Sequence, residues 1–404
     1  MSTITITASL KAIKTARVES IDLLRGTVII IMALDHVRDY FHGSAYLFDP
    51  TDLHHTSIAI FFTRWITHFC APVFTFLAGT GARLSGLKRS KKELSFFLLT
   101  RGLWLVVLEI FIMNLGWTYN PLYDVVVLQV IWSLGFSMIA MSALIYLPIR
   151  FILLIGLVIT FGHNALDVVH LHGSKAESFI WSLLHERNSF HFFGHFSILV
   201  GYPIIPWLGI MAIGYCFGEL YVPGFDAMKR KRILLITGFS SIVLFIILRY
   251  VNVYGDASHW TVQQKPVYTL MSFLNTTKYP PSLLYTLMTL GPSLIFLALT
   301  ERPLHLIGNG ICVFGRVPMF FYIVHVYFIH LLALIAVVLT NHNWSDMILS
   351  TWVTDNDHLK GYGFNLFTVY IVWIIVLVVL YPFCKRYDQY KRANLAAKPW
   401  LSYL

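Results

Sequence analysis

The sequence predicts an all-α, multi-pass membrane protein, and three observations support this fold class. The chain of 404 residues is 57% apolar and only 12% charged, with a mean hydropathy of +0.68, which excludes an ordinary soluble domain. Segments of about 20 apolar residues, the length that crosses the hydrocarbon core of a bilayer, recur along the chain. Its connections also alternate between being rich and poor in Lys and Arg, as in membrane proteins of fixed orientation.

Apolar segments long enough to span the membrane are predicted at ten places, namely 20–41, 58–82, 95–116, 124–147, 150–169, 199–221, 233–250, 281–300, 316–340 and 364–384. The stretch 303–315 is predicted as an eleventh, short or re-entrant element. No fixed-period repeat and no Gly/Ser or Pro-rich linker divides the chain. We therefore expect a cytoplasmic basic tail over 1–19, one transmembrane domain over 20–385 and a second cytoplasmic tail over 386–404.

Basic residues predict the orientation of these helices. One set of alternate connections, which includes the N-terminal tail and the residues after Tyr381, holds 19 Lys and Arg, and the intervening set holds five. Because Lys and Arg concentrate on the cytoplasmic side, both chain ends are predicted to be cytoplasmic, in a multi-pass protein of the cell (inner) membrane. The net charge of +10 is then a topology signal. No basic stripe with interleaved aromatic residues suggests a nucleic-acid partner.

The first predicted helix carries two ionisable residues on one stripe, Arg25 and His36. Eleven steps of about 100° bring the second side chain to within about 20° of the first, roughly 16 Å further along the axis. Ionisable groups inside a bilayer are costly and mark functional sites by default. Arg25 could equally be a snorkelling arginine that anchors the helix end, or the structural partner of Asp22.

His36 lies in a cluster of charged residues with Asp35, Arg38 and Asp39. On a helix, His36 and Asp39 are neighbours at i,i+3. A carboxylate beside an imidazole raises its basicity and fixes its tautomer, as a general base requires. We therefore predict that Asp39 or Asp35 orients His36. The alternative is that these groups only neutralise one another near the outer interface.

Other predicted spans contribute further candidates. Arg64 and His68 are i,i+4 neighbours on the second helix, just before Pro72, which is predicted to kink it and turn carbonyls towards a cavity. His325 and His330 on the ninth helix diverge by about 140°, so one is expected to line a cavity and the other to face packing, with His325 favoured for the cavity. Lys278, near the outer face, is a candidate contact for an anionic acceptor. No metal is expected, because the chain has no zinc-protease or paired-cysteine motif.

Five stretches in order along the chain carry a resemblance to a known family, at 20–26, 67–79, 202–211, 278–284 and 314–322. The Arg-Gly opening followed by ten residues before His resembles the first helix of the acyltransferase-3 membrane O-acyltransferases. The chain as a whole resembles more closely the bacterial relatives of lysosomal heparan-α-glucosaminide N-acetyltransferase. This resemblance runs from the first predicted helix to the ninth.

The resemblance implies an enzyme that takes an acyl group, expected to be acetyl, from cytoplasmic acyl-CoA. It implies transfer to an amine or hydroxyl, often of a sugar or glycan, at the extracytoplasmic face. Arg25 and His36 match the paired Arg and His of the acyltransferase-3 pattern. The lysosomal enzyme has its catalytic His in the following outer loop, so His42, His54 and His55 stay open as alternatives to His36.

This chemistry suits the predicted helix geometry. We expect Arg25 to hold the phosphates of acyl-CoA (acetyl-CoA) near the inner surface while a pantetheine arm of order 15–20 Å extends towards His36. His36 would take the acceptor's proton or form an acyl-histidine. Arg38, Arg64 and His68 are candidates for stabilising the developing charge. The expected partners are the bilayer, acyl-CoA and the acceptor, with a homodimer left open.

Two other functional classes fit parts of the same pattern. A transporter or permease would use the intramembrane polar residues to conduct protons or substrate. A haem-binding electron carrier would need His pairs facing one cavity, whereas most histidines here fall in predicted loops.

Overall fold

The computed structural model describes residues 19–171, 176–192, 194, 196–301 and 305–403. Residues 1–18 of the predicted basic tail and Arg302 lie outside these ranges. The described α-helices are α1 (Glu19–Phe41), α2 (Ile58–Ile66), α3 (Cys70–Gly86), α4 (Lys91–Val107), α5 (Asn114–Thr118), α6 (Val130–Leu144), α7 (Ile149–Gly162), α8 (Ala176–Leu184), α9 (Ile204–Phe217), α10 (Ala227–Val251), α11 (Pro266–Leu274), α12 (Leu283–Leu299), α13 (Leu306–Arg316), α14 (Pro318–Leu339) and α15 (Leu366–Asn394). The strands are β1 (Val125–Leu128), β2 (Asn188–Phe192) and β3 (Phe196–Val200).

Each of the ten predicted spans contains a helix, and α13 occupies the predicted eleventh element. Seven helical segments among the described residues are long and apolar enough to cross a membrane, namely Ile58–Gly86, Lys91–Thr118, Ile149–Leu166, Ile204–Tyr221, Ala227–Val251, Pro318–Leu339 and Leu366–Asn394. Helices α6 and α12 are apolar but shorter. Helix α1 is long, but it carries six charged residues. The chain is a multi-pass membrane protein, and the total of ten crossings stays a prediction.

A small β-sheet departs from the all-α prediction. Its strand order is β1-β3-β2, with β1 parallel to β3 and β2 antiparallel to β3. Residues 125–128 and 199–200 lie at the starts of two predicted spanning helices, 124–147 and 199–221. They form strand instead, because β-branched residues such as Val125, Val126 and Val127 fit a pleated surface and β3 supplies their backbone hydrogen bonds.

The helix predicted over 58–82 is interrupted just before Pro72, but the carbonyl that the proline frees is bound by a neighbouring helix and does not face a cavity. A 3₁₀ turn at Thr67–Phe69 separates α2 from α3. Pro72 has no N–H to donate to the carbonyl of His68, four residues earlier. The hydroxyl of Tyr285 on α12 donates to that carbonyl instead, at 2.7 Å. A neighbouring helix thus satisfies the backbone group that the proline frees, as is usual inside a membrane.

Helix pairs in the bundle approach closely at glycines. Helix α1 packs along α13, and α4 packs along α6. A Cβ added to Gly315 of α13 would collide with the carbonyl oxygen of Asp22 on α1, and one added to Gly26 would collide with that of Ile311. Gly102 and Gly135 face each other in the same way between α4 and α6. Small residues at such crossings let apolar helices pack tightly without a hydrophobic driving force.

The C-terminal residues pack against the bundle. The predicted tail over 386–404 begins as a continuation of α15, and a short 3₁₀ turn at Pro399–Ser402 follows. Arg101 on α4 donates to the carbonyl of Ser402 at 2.7 Å. The end of the chain therefore forms part of the wall beside α4.

Candidate active site

A polar cavity of about 380 Å³ lies at the C-terminal end of α1. Its walls include the connection after α1, the end of α2, the start of α3, and residues of β1 and β3. Four basic residues line it, Arg38, Arg64, Arg187 and Lys278. Four acidic residues also line it, Asp35, Asp39, Asp49 and Asp355. We call this space the polar cavity.

A second cavity, of about 350 Å³, lies towards the N-terminal end of α1. Its lining is mostly apolar and comes largely from α3, α4 and α6. Four cationic residues line it, Arg25, Arg101, Arg316 and Lys391, and none of its lining residues is acidic. We call this space the basic cavity, and its chemistry suits an anionic group attached to a slender, partly apolar chain.

The two cavities adjoin one another. Met32, Phe74, Val130 and Tyr322 line both. Along α1, Arg25 lines the basic cavity, Met32 lines the junction and His36 lines the polar cavity. The predicted stripe of Arg25 and His36 thus connects two spaces on opposite sides of a narrow septum.

Two hydrogen bonds determine the tautomer of His36. Nδ1 of His325 lies 2.8 Å from the carbonyl oxygen of Phe321, and its Nε2 lies 2.8 Å from Nδ1 of His36. A carbonyl oxygen can only accept, so Nδ1 of a neutral His325 donates and its Nε2 accepts. His36 must then donate through Nδ1. Nε2 of His36 is left unprotonated, as a general base requires.

The predicted partner of His36 was wrong. The carboxylate of Asp35 binds Arg38, at 2.9 Å, and Arg64. Asp39 accepts from Arg38 at 2.6 Å. Both carboxylates are thus engaged with guanidinium groups, which are stronger partners for an anion than a neutral imidazole. They line the polar cavity beside His36 without orienting its ring.

Two predicted histidines lie away from the cavities. His325 was predicted to line a cavity, but it is fully buried behind His36, and the centroids of the two hydrogen-bonded rings are 5.0 Å apart. His68 is also buried, and its ring packs against Tyr285. Neither residue lines the polar or the basic cavity. The expected direct roles of His325 in substrate binding and of His68 in charge stabilisation are therefore not supported.

The alternative loop histidines also lie outside the two cavities. The ring of His42 is turned to the hydroxyl of Ser44, at 2.6 Å. His55 pairs with Asp52 at 2.6 Å on an exposed turn that also contains His54. Among the histidines that the structure describes, His36 is the one that lines either cavity. This arrangement favours His36 over a loop histidine and offers no facing pair for a haem.

Several lining residues escaped the sequence analysis. Arg187 lies over the ring of Tyr279, 5.3 Å from its centroid, on the same ring that the predicted residue Lys278 approaches to 5.1 Å. Trp352 and Asp355 reach the polar cavity from the connection between α14 and α15. One available signal for Arg187 was the scarcity of outer basic residues, since it is one of only five.

Charges around the polar cavity perturb two titratable loop residues. Burial raises the pKa of Tyr279, but the nearby charges of Lys278 and Arg64 outweigh it and lower the pKa to about 8. Burial also raises the pKa of Asp49, and hydrogen bonds from the hydroxyl and N–H of Thr51 more than offset that effect. Asp49 is therefore an anion at neutral pH, and Tyr279 ionises more readily than an ordinary tyrosine.

Comparison with known families adds a finding independent of this geometry. The family model described as heparan-alpha-glucosaminide N-acetyltransferase, catalytic, matches residues 17–250, more than half of the chain. The matched region contains Arg25, His36, Arg64 and Arg101, and it ends before Lys278 and His325. No curated protein matches the sequence.

Proposed function

This chain belongs to the heparan-alpha-glucosaminide N-acetyltransferase, catalytic family, and from that membership we propose that it moves an acetyl group across the membrane. The donor is acetyl-CoA on the cytoplasmic side. The acceptor is an amine or hydroxyl, of a sugar or glycan, at the extracytoplasmic face of the cell membrane. The observation that carries this proposal is that one helix, α1, lines a basic cavity with Arg25 and an adjoining polar cavity with His36.

The basic cavity supports binding of the donor. Acetyl-CoA carries phosphates at one end and a thioester at the end of a long, flexible arm. Arg25, Arg101, Arg316 and Lys391 offer the cationic donors that phosphates need. The apolar walls towards Met32 and Phe74 suit the arm, and the rise along α1 from Arg25 to His36 is about 16 Å. The thioester would then lie at the septum, within reach of the polar cavity.

The hydrogen-bonded histidine pair supports direct transfer. As the acceptor's nitrogen or oxygen bonds to the acetyl carbonyl carbon, its proton passes to Nε2 of His36. The tetrahedral oxyanion then collapses, the carbon–sulfur bond breaks, and His36 returns the proton to the departing thiolate. Tyr322 is the polar member of the four shared residues, so its hydroxyl is the candidate donor to the oxyanion.

The polar cavity supports an acceptor of mixed polar and aromatic character. Its carboxylates at Asp39 and Asp355 can bind amino or hydroxyl groups, and Trp117, Trp352 and Tyr202 offer flat apolar faces. Sugars present both kinds of surface, with polar edges and apolar ring faces. This combination fits a sugar or glycan acceptor better than a purely apolar one.

Acetyl transfer in proteoliposomes tests the proposal, with labelled acetyl-CoA as donor and glucosamine as the acceptor probe. His36→Ala should lower kcat/KM by about 10²–10⁴-fold, the usual contribution of a general base. His54→Ala, which changes an exposed loop histidine away from both cavities, should retain wild-type transfer. The thermal unfolding midpoint of each variant controls for misfolding.

Three outcomes would contradict the proposal. Full transfer by His36→Ala would remove His36 from the chemistry. Loss of transfer in His54→Ala alone would move the base to the outer loop. Solute uptake without any acetylated product would favour the transporter alternative.

A further inference from the structure

Three metal-ligating side chains converge outside both cavities. His163 begins a 3₁₀ turn at the end of α7, Asp167 follows that turn, and His185 follows α8. Each can offer one ligand atom, and these three atoms lie within 4.8 Å of one another. The residues are separated by 3 and 17 positions in the sequence, a spacing that matches none of the zinc motifs considered in the sequence analysis.

The two histidines are buried but incompletely paired. His163 is 3% exposed and His185 is 2% exposed. Within the described part of the chain, Nδ1 of each ring is buried without a hydrogen-bond partner. Nε2 of His185 lies 2.9 Å from the carboxylate of Asp167. Buried polar atoms in native proteins normally have partners, so each of these two rings keeps a nitrogen that can bind a ligand.

A neighbouring residue is placed to orient the carboxylate. The side-chain amide of Asn164 donates to Asp167 at 2.7 Å, and its oxygen accepts from the backbone N–H of Leu283, at the start of α12, at 2.9 Å. Outer hydrogen bonds of this kind hold the ligands of metal sites in position. The cluster is thus fixed to the bundle through α12 as well as through α7.

We propose that His163, Asp167 and His185 bind a divalent transition-metal ion, for which Zn²⁺ is the best fit. Two imidazoles and one carboxylate are an established ligand set for zinc, with water in the fourth position. Bond lengths of about 2.0–2.2 Å require the ligand atoms to approach to roughly 3.4 Å, so small ring rotations suffice. The ion fastens the C-terminal end of α8 to the end of α7. This site departs from the expectation that the chain holds no metal, and it does not depend on the proposed function.

Metal content tests the site in the full chain. The protein is purified in detergent through a tag without histidines, stripped with a chelator, and titrated with ZnCl₂ alone. Wild type should bind one Zn²⁺ per chain by elemental mass spectrometry, and binding should raise the thermal unfolding midpoint. His163→Ala and His185→Ala should lose this ion. His191→Ala, which removes an exposed imidazole on β2, should keep it.

A milder variant keeps the test informative if the ligand variants fold poorly. Asn164→Ala retains all three ligands and should weaken Zn²⁺ affinity by about 10–100-fold, as expected for loss of an outer hydrogen bond. Wild-type protein that binds no stoichiometric Zn²⁺ would overturn the proposal. So would equal Zn²⁺ content in wild type, His163→Ala and His185→Ala.

Discussion

The ring of His36 is oriented by a second imidazole rather than by a carboxylate. His325 accepts from His36 and donates to the carbonyl of Phe321. A neutral orienting group fixes the tautomer without adding a negative charge beside the base. Asp35 and Asp39 remain available to balance Arg38 and Arg64.

The hydrogen-bonded chain from His36 through His325 to the carbonyl of Phe321, which we call the relay, predicts a positioning role for His325. His325→Phe removes the acceptor for Nδ1 of His36, so the ring can adopt the wrong tautomer. We expect kcat for acetyl transfer to fall by about 10–100-fold, the size of effect seen when an outer hydrogen bond to a functional histidine is lost. The KM values should stay near wild type, and the pH profile of kcat should shift.

The conservative variant His325→Gln serves as the control. Its side-chain oxygen can accept from His36, so it should recover part of the lost kcat and the wild-type pH profile. An unchanged kcat and pH profile in His325→Phe would show that the relay has no effect on the chemistry.

For individual residues, the sequence predicted contacts within one helix better than contacts between helices. The spacing of Asp35, Arg38 and Asp39 along α1 was sufficient to predict their clustering. The partners from other helices, His325 for His36 and Arg64 for Asp35, depend on how helices are rotated and paired. Hydrophobic periodicity in a helix that is apolar all round does not specify that rotation.

Close crossings position the helix that carries the candidate site residues. Helix α13 contacts α1 where Gly315 faces Asp22 and Gly26, three residues or fewer from Arg25. Arg25 also donates to the carbonyl of Gly315 at 3.2 Å. The register between these two helices therefore fixes where Arg25 meets the basic cavity.

Adding one methyl group at this crossing should disturb it. In Gly315→Ala the new Cβ would collide with the carbonyl of Asp22, so α1 and α13 must move apart. We expect the variant to lose about 1–3 kcal/mol of stability, the usual cost of overpacking, measured as a lower unfolding midpoint in detergent.

Gly310→Ala is the matched control on the same helix. Its Cβ would lie 3.8 Å from the nearest atom, the hydroxyl of Tyr381. It should therefore unfold at or slightly above the wild-type midpoint, because alanine favours helix over glycine. Equal midpoints for the two variants would contradict a tight crossing at Gly315.

Helices were predictable from the sequence because apolar length is a strong signal. The strands were not, since an apolar run such as 125–128 reads equally as helix or strand until a partner strand is known. Strand β1 pairs with β3, about 70 residues further along the chain. That long-range pairing is a property of the assembled bundle.

Two cavities divide the molecule along α1, and the distribution of basic residues predicts which side each one faces. The basic cavity contains Lys391 and Leu395 near the end of the chain, where Lys and Arg are frequent. The polar cavity contains Thr354 and Lys278, from connections where they are rare. We therefore expect the basic cavity to open to the cytoplasm.

Cysteine labelling measures this orientation. Leu395→Cys and Thr354→Cys are made separately in a Cys216→Ser background, because Cys70, Cys312 and Cys384 are buried. A membrane-impermeant maleimide should label Thr354→Cys in intact cells and Leu395→Cys only in inside-out vesicles. Labelling of both positions from the same side would contradict the predicted topology.

For the molecule as a whole, the sequence predicted that a polar path links Arg25 to His36. It did not predict the two cavities that form this path. Arg101, Arg316 and Lys391 come from three different helices, so no local motif joins them. Their convergence follows from the packing of α13 and α15 against α1, and of α4 against the C-terminal 3₁₀ turn.

Four side chains, Met32, Phe74, Val130 and Tyr322, line both cavities and lie where the two spaces adjoin. A membrane that maintains a proton gradient cannot contain an open pore. These four side chains must therefore block the passage of protons and still let the acetyl group pass. Under the proposed function, the coenzyme stays inside the cell while the acetyl group that it carries is transferred to the outer side. We therefore expect the packing of these four side chains to limit proton leakage during each turnover.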